Sequence, residues 1–440
     1  MELASSGVGR LTGRWVRFSR ASMSQDPLHL LCIEPRFPGR LGAVADWLVR
    51  RRGYRCQFYC HSAAPREHWP ESVGRGLDVV AFDVGGVARE GSVGWRRNLE
   101  RGLCYAYGCW EVLEGRRPRP VDVILGRSDG LGSSLFTPAF APRTPTVQFF
   151  DYYYHARQND LAPEAGLQMP ATYFQWRRSA NAMDLLDLEN GVKPWTATAW
   201  QRDLYPAEYR DDFLVLHDGV DTRVDRSSTG LPRMIAGRSI PDGMKVVGFV
   251  SRETDRLRGF DRFLKLANTL IRERPDVIAV AVGDPTVGRA LDVTSFGRDY
   301  RAELVAADPP SDPDRLWLLG FVSPGVVAEV LGSSDLHVYP GRPYPVSRSM
   351  VQAMAAGRVI LASDEAPVRE LIRPGVDGLL APPDDPDAWV RLARGVLDDP
   401  SAFAPLGASA AEVARERYSR DVTLPILAER LGKLAGLGGG

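Results

Sequence analysis

The chain is 440 residues long, 44% hydrophobic and 25% charged, with 55 Lys plus Arg against 55 Asp plus Glu. That much apolar material excludes disorder as the dominant state and leads to an expectation of two large domains or three small ones. A net charge of zero provides no global field to hold nucleic acid or an anionic membrane, so any nucleotide must be gripped locally.

Residues 1–25 carry Arg10, Arg14, Arg17 and Arg20 against the single acid Glu2, and are expected to form a disordered extension. Their composition imitates a transit peptide, but they lack the apolar core of a secretory signal, and no stretch has the length and apolarity of a membrane span. The expected location is the cytoplasm. Cys32, Cys56, Cys60, Cys104 and Cys109 are odd in number and fit reduced thiols. Cys56, Cys60 and His61 have no second ligand pair at zinc spacing, so no metal is expected.

Short apolar runs separated by helical stretches predict an α/β chain with parallel sheets. The first set of strands is expected at Leu28 to Ile33, Arg55 to Tyr59, Leu77 to Phe82, Val121 to Leu125, Thr146 to Phe150 and Phe213 to Leu216. After the first run, PRFPGRLGAVADWL suits a tight turn at Gly39 that lets backbone approach a ligand, and a plain strand-to-helix loop explains the segment equally well. After the fifth run come Asp151, an aromatic stretch containing Tyr153, and then His155. A carboxylate and an imidazole at a strand end suit an acceptor site, and a half-buried aromatic cluster with polar neighbours explains them equally well.

Arg223 to Gly243 is rich in Ser, Gly, Pro and Arg and reads as a hinge between domains at 26–222 and 244–415. The strand pattern then restarts, at Lys245 to Val250, Val277 to Val282, Leu316 to Leu319, Asp335 to Tyr339, Val359 to Ala362 and Gly378 to Leu380. Two such sets predict two Rossmann-like, doubly wound domains facing a cleft, with ligands outside the carboxyl ends of the strands. Arg252 and Arg258 follow the strand KVVGFV and can neutralise a leaving diphosphate without metal. The segment GRPYPVSRSMVQAMAAG follows the strand DLHVYP, and its Ser347, Arg348 and Ser349 open a helix whose free amides can hold an anion. Ser349 and Gln352 also spell a capping box, which needs no ligand. Asp384, Asp385 and Asp387 read as a helix cap. Pro425 is expected to kink the last helical stretch, so that residues 416–435 return to the first domain. Neither a dinucleotide-binding GxGxxG nor a Walker A loop follows a strand.

Taken in order, PRFPG, FFDYYY, WQRDLYP, VLHDGVD, SRETDRLRGF, SMVQAMAAG and DEAPVRELIRPGVDGLLAP resemble glycosyltransferase family four, of the GT-B fold. The likeness runs from about Leu28 to Leu431 and is closest to a branch with the FPG-type segment. It implies a retaining, metal-independent transfer of a sugar from a nucleoside diphosphate, with UDP or GDP expected and no cofactor. It also implies that Arg252 and Arg258 grip the diphosphate, Arg258 standing where lysine is usual. The family's two glutamates, eight positions apart, fall here on Tyr344 and Gln352, so neither carboxylate is present. Arg252, Arg258 and Asp151 are therefore the expected catalytic residues. Gly39, Tyr344, Ser347, Arg348, Ser349 and Gln352 are the expected donor contacts, and Tyr153 and His155 the acceptor contacts. The altered glutamate pair favours a small specialised metabolite, glycosylated on oxygen or sulfur in a bacterial pathway. Polysaccharide assembly and a degenerate nucleotide-sugar-binding protein are the alternatives, and a homodimer is left open.

Overall fold

A computed structural model describes residues 27–84, 94–116, 120–128, 134–155, 171–223, 233–285 and 299–436. The expected N-terminal extension lies outside them. The first half runs β1 (His29–Ile33), β2 (Arg36–Phe37), α1 (Leu41–Arg52), β3 (Arg55–Cys60), β4 (Ser62–Ala63), β5 (Leu77–Ala81), α2 (Gly94–Arg116), β6 (Val123–Arg127) and α3 (Thr137–Phe140). It continues through β7 (Thr146–Phe149), α4 (Ala171–Ala180), α5 (Ala182–Glu189), β8 (Lys193–Thr196), α6 (Ala199–Asp203) and β9 (Leu214–Val215). The second half runs β10 (Met234–Ile235), β11 (Arg238–Ser239), β12 (Lys245–Glu253), α7 (Phe260–Glu273), β13 (Val277–Asp284), α8 (Tyr300–Ala307), β14 (Leu316–Leu318) and α9 (Pro324–Ser333). It closes with β15 (Leu336–Tyr339), α10 (Arg348–Ala355), β16 (Val359–Ser363), α11 (Ala366–Arg369), β17 (Leu379–Ala381), α12 (Pro386–Asp398), α13 (Pro400–Arg417) and α14 (Arg420–Leu434).

Seven strands form the first parallel sheet, in the order β5-β3-β1-β6-β7-β8-β9, and six form the second, in the order β14-β13-β12-β15-β16-β17. Central parallel strands are covered on both faces, which is why β1 and β12 read as unbroken apolar runs. Alternate residues of β1 serve opposite cores. Leu31 and Ile33 pack with Tyr105, Cys109 and Leu113 of α2, whereas Leu30 and Cys32 share a cluster with Leu41, Val44 and Leu48 of α1. Leu424, Leu427 and Leu431 of α14 complete that second cluster, so the last helix belongs to the first domain's core. The Trp47 indole N–H also donates to Asp421 Oδ1 at 2.9 Å. Cys32 and Cys56, on neighbouring strands, stand 3.2 Å apart at sulfur, and burial pushes the Cys109 thiol up to about 12. Such thiols are packing groups rather than nucleophiles.

Three features depart from the sequence reading. Strand β8, Lys-Pro-Trp-Thr, was not expected, because proline and the Asn190–Gly191 turn before it hide a four-residue strand. Within the expected hinge, β10 and β11 pair as a hairpin, and Ile235 and Ile240 are buried in the second domain's core. The final helical stretch breaks at Tyr418 and Ser419, where Ser419 caps α14, while Pro425 lies inside that helix.

Candidate active site

The carboxyl edge of the second sheet carries the residues expected to meet a diphosphate. β12 ends on Arg252 and Glu253, and beyond it the chain turns back at Gly259, whose φ is +76°. A Cβ at Gly259 would lie 2.1 Å from the Pro340 carbonyl oxygen, so only glycine lets this loop close on the turn before α10. Arg258 is thereby set against that turn. Its backbone N–H donates to Asp255 Oδ1 at 2.8 Å, its Nη1 to the Pro345 carbonyl at 3.1 Å, and its guanidinium lies 4.9 Å from the Tyr344 ring centroid. Burial alone would lower the Arg258 pKa, but Tyr339, Glu253, Tyr344 and Asp255 outweigh it, so the cation is secure. Arg252 is 44% exposed, with Nε 3.0 Å from Glu253 Oε1.

Helix α10 begins at Arg348, and Ser347, its N-cap, makes no side-chain cap bond. The capping box does not form. Ser349 instead donates to the Val250 carbonyl at 2.6 Å and lies 2.6 Å from Ser347 Oγ, while Gln352 is half-buried one turn along. Two hydroxyls at the same edge, Ser251 Oγ after the Val250 position of β12 and Ser363 Oγ at the end of β16, are buried with no hydrogen-bond partner among the described residues. An uncapped helix start, a fixed arginine and unpartnered hydroxyls at strand ends together make an edge suited to an anionic, polyhydroxylated ligand.

The first sheet's edge is built differently. Gly39 is left-handed (φ +52°), and a Cβ there would lie 2.5 Å from both Glu34 Oε2 and the Arg36 carbonyl. That tight loop turns the start of α1 onto Glu34, which accepts from the backbone N–H of Arg40 at 3.0 Å and of Leu41 at 2.7 Å. Glu34 also pairs with Arg127 Nη1 at 2.8 Å, and Arg127 Nη2 donates to Asp151 Oδ2 at 3.0 Å. Asp151 Oδ1 is 3.7 Å from Arg40 Nη2, and Arg40 donates to the buried Asp218 through Nη1. From the other domain, Arg348 donates through Nε to Asp218 Oδ2 at 2.6 Å and through Nη2 to the Arg40 carbonyl at 3.3 Å. Six alternating charges, Glu34, Arg127, Asp151, Arg40, Asp218 and Arg348, thus link one domain to the other.

Burial by itself would raise the Asp218 pKa, but the Arg348 and Arg40 guanidiniums overcome it and hold the carboxyl well below the usual range. Burial, aided by those two arginines, pushes His217 down to about 4, so it is neutral. Its Nδ1 accepts from the Gly219 N–H at 2.9 Å, which leaves the proton on Nε2.

The expected residues therefore divide. Arg258, Ser347, Ser349, Gln352 and Tyr344 gather around the start of α10, with Arg252 nearby. Arg348 opens the same helix, but its side chain crosses to Asp218. Gly39 shapes the facing loop. Asp151 is ion-paired on two sides, so it holds Arg40 and Arg127 in place rather than standing as an open base. Tyr153 and His155 join neither edge: Tyr153 is buried against Tyr205, and the His155 Nε2 is 2.7 Å from the Leu204 carbonyl, a contact in which its N–H donates. Sequence reasoning missed Glu34, Arg40, Arg127 and Asp218. The signal for Asp218 was an acid set directly after a strand inside VLHDGVD; for the others there was little, since their partners lie far along the chain.

Two family models match consecutive parts of the chain: a glycosyl transferase family 4 group over residues 52–224 and glycosyl transferases group 1 over residues 244–399. The chain belongs to the family-four glycosyltransferases. The FPG segment lies ahead of the first matched region. A D-inositol 3-phosphate glycosyltransferase of Thermobispora bispora is 30% identical over 226 residues, 49% of each chain. An alpha-D-kanosaminyltransferase of Streptomyces kanamyceticus is 26% identical over 30% of this chain and 36% of its own. The first of these matches spans about half the length of the relative. Among solved structures, the sucrose-phosphate synthase of Thermosynechococcus elongatus superposes with a TM-score of 0.66 at 15% identity, covering 93% of this chain and 99% of that chain. An Anabaena protein solved in complex with UDP-glucose gives 0.61 at 16% identity, covering 92% and 100%. These likenesses establish the GT-B fold. No helix among the described residues is long and apolar enough to cross a membrane.

Proposed function

We propose that this chain transfers a sugar from a nucleoside diphosphate to an acceptor lodged against its first domain, retaining the anomeric configuration and using no metal. The observation that carries the reading is Arg258, locked between the Pro345 carbonyl and the Tyr344 ring beside the uncapped start of α10. As the bond between sugar and diphosphate breaks, negative charge develops on the leaving group. A preorganised guanidinium and helix-start amides stabilise that charge without reorganising, and supply the positive field that a divalent ion supplies elsewhere. Ser251, Ser363 and Gln352 offer donors and acceptors for ribose or sugar hydroxyls in place of the family's second glutamate. The buried Tyr344 puts an aromatic face where the first glutamate would bring a charge, which supports an altered donor sugar or acceptor. UDP or GDP is the proposed nucleotide, a small specialised metabolite the proposed acceptor and the cytosol the proposed location. Retention rests on family membership.

The test is turnover of UDP-glucose and GDP-mannose against a panel of hydroxyl- and thiol-bearing small molecules, with EDTA present and the product anomer read by proton NMR. Transfer that survives EDTA with the donor's anomeric configuration kept is expected. Nucleotide binding without transfer to any acceptor would instead identify a binding protein, and a metal requirement would remove the proposed role of the arginine.

A further inference from the structure

We propose that Glu370, on the second domain, is a positioning residue that makes the first domain's edge of the cleft competent only when the two domains are closed. This rests on the glycosyltransferase reading and adds to it a device that couples closure to the acceptor side.

Helix α6 of the first domain is five residues long, too short to be stable by itself, and its leading amides need acceptors. Thr198 provides one, its Oγ1 accepting from the Gln201 N–H at 3.2 Å. The next two come from the other domain: Ala199 N–H donates to Glu370 Oε1 at 2.7 Å and Trp200 N–H to Oε2 at 2.8 Å. A carboxylate taking two first-turn amides is favoured by hydrogen bonding and by the helix dipole together.

What α6 holds lies at the exit of β7. Gln201, buried, donates through Nε2 to the Asp151 carbonyl at 2.6 Å. The Trp200 ring stacks on Tyr152 with centroids 6.1 Å apart, and Tyr152 packs on Tyr344 of the second domain at 4.8 Å. Asp151 in turn fixes Arg127 and Arg40. Glu370 thus braces the helix that braces Asp151 and Tyr152. When the domains part, two amides pass to water and the brace is lost.

The test compares wild type, Glu370→Ala and Glu370→Gln by amide exchange on the full chain and by steady-state transfer. In E370A, faster exchange is expected at 199–201 and also at 150–153, a segment of the other domain that Glu370 does not touch. Transfer kcat is expected to fall about 10-fold in E370A and about 3-fold in E370Q, which keeps one acceptor, with donor KM within about twofold in both. A purely structural cap would lower the melting temperature and leave kcat per folded molecule unchanged. Exchange confined to 199–201, or an unchanged kcat, overturns the inference. A wild-type chain that transfers no sugar to any acceptor overturns the functional reading instead, and the exchange result at 150–153 then decides the role of Glu370 alone.

Discussion

The two sheets present carboxyl edges of opposite character. On the first, Glu34, Arg127, Asp151, Arg40 and Asp218 pair in series, so the charge there is consumed internally. On the second, α10 starts without a side-chain cap and Ser251 and Ser363 hold unpartnered hydroxyls. A network of charges paired with one another fixes shape, whereas an edge with free helix-start amides and unpartnered hydroxyls is where a ligand gains most, because it supplies partners the protein has left out. On the proposed function, the nucleotide belongs to the second edge, and the first acts as a wall facing it.

The strongest way to break the comparison is Asp218→Asn. It removes the one anion between Arg40 and Arg348, and breaking a buried pair of this kind costs about 3–5 kcal/mol. Chemical unfolding should show a loss of that order; less than about 1 kcal/mol would mean that the charge series is not a structural element of the first edge. Arg258→Ala addresses the opposite edge. Its kcat should fall roughly 10²–10³-fold, as for removal of a charge-stabilising donor, with little change in the unfolding midpoint. If stability drops and turnover does not, Arg258 is a wall residue and the assignment of edges is reversed.

How far the sequence disclosed these edges depends on the range of the interactions. The strands of the second sheet were legible because each buried parallel strand is a continuous apolar run, and the Arg258 loop because its residues follow one such run. The charge series was not. Arg40 and Asp218 are 178 residues apart, and Arg348 and Asp218 are 130 apart, so each looks like a solvated surface charge until the domains are placed face to face. Ser349 misled for a related reason: its spacing to Gln352 fits a local cap, but the carbonyl of Val250, 99 residues away, captures the hydroxyl. The short strand β8 was masked by Pro194, and the hairpin of β10 and β11 by its polar, glycine-containing composition.

Smaller substitutions sharpen the contrast. Ser251→Ala and Ser363→Ala each remove a hydroxyl with no partner, so stability should stay within about 0.5 kcal/mol of wild type or rise. Donor affinity should fall about 5- to 10-fold if the ligand supplies the missing partner, since a hydrogen bond contributes on the order of 1 kcal/mol. Unchanged affinity in both would place the ligand elsewhere.

The smallest effect concerns pH. Burial pushes His337 down to about 4, and neither ring nitrogen has a partner among the described residues. The unfolded chain takes up a proton at this residue below its ordinary pKa of about 6.5, while the native state refuses it until about 4. The stability it contributes is therefore complete above 6.5 and lost as pH falls towards 4. Burial raises Asp187 to about 7, and its native-state proton opposes part of this trend. His337→Leu should make the fall in melting temperature between pH 6.5 and 4 shallower than in wild type; parallel curves would show that His337 is not buried neutral.

Calorimetric titration of UDP and GDP in EDTA, into wild type, R258A and the isosteric first-edge variant D151N, tests the division of the cleft most directly. One of the two nucleotides should bind wild type and D151N alike, and bind R258A about 10- to 100-fold more weakly, in keeping with the loss of a charge-assisted contact. Equal affinity in wild type and R258A, or a loss confined to D151N, would contradict the placement of the diphosphate on the second sheet's edge.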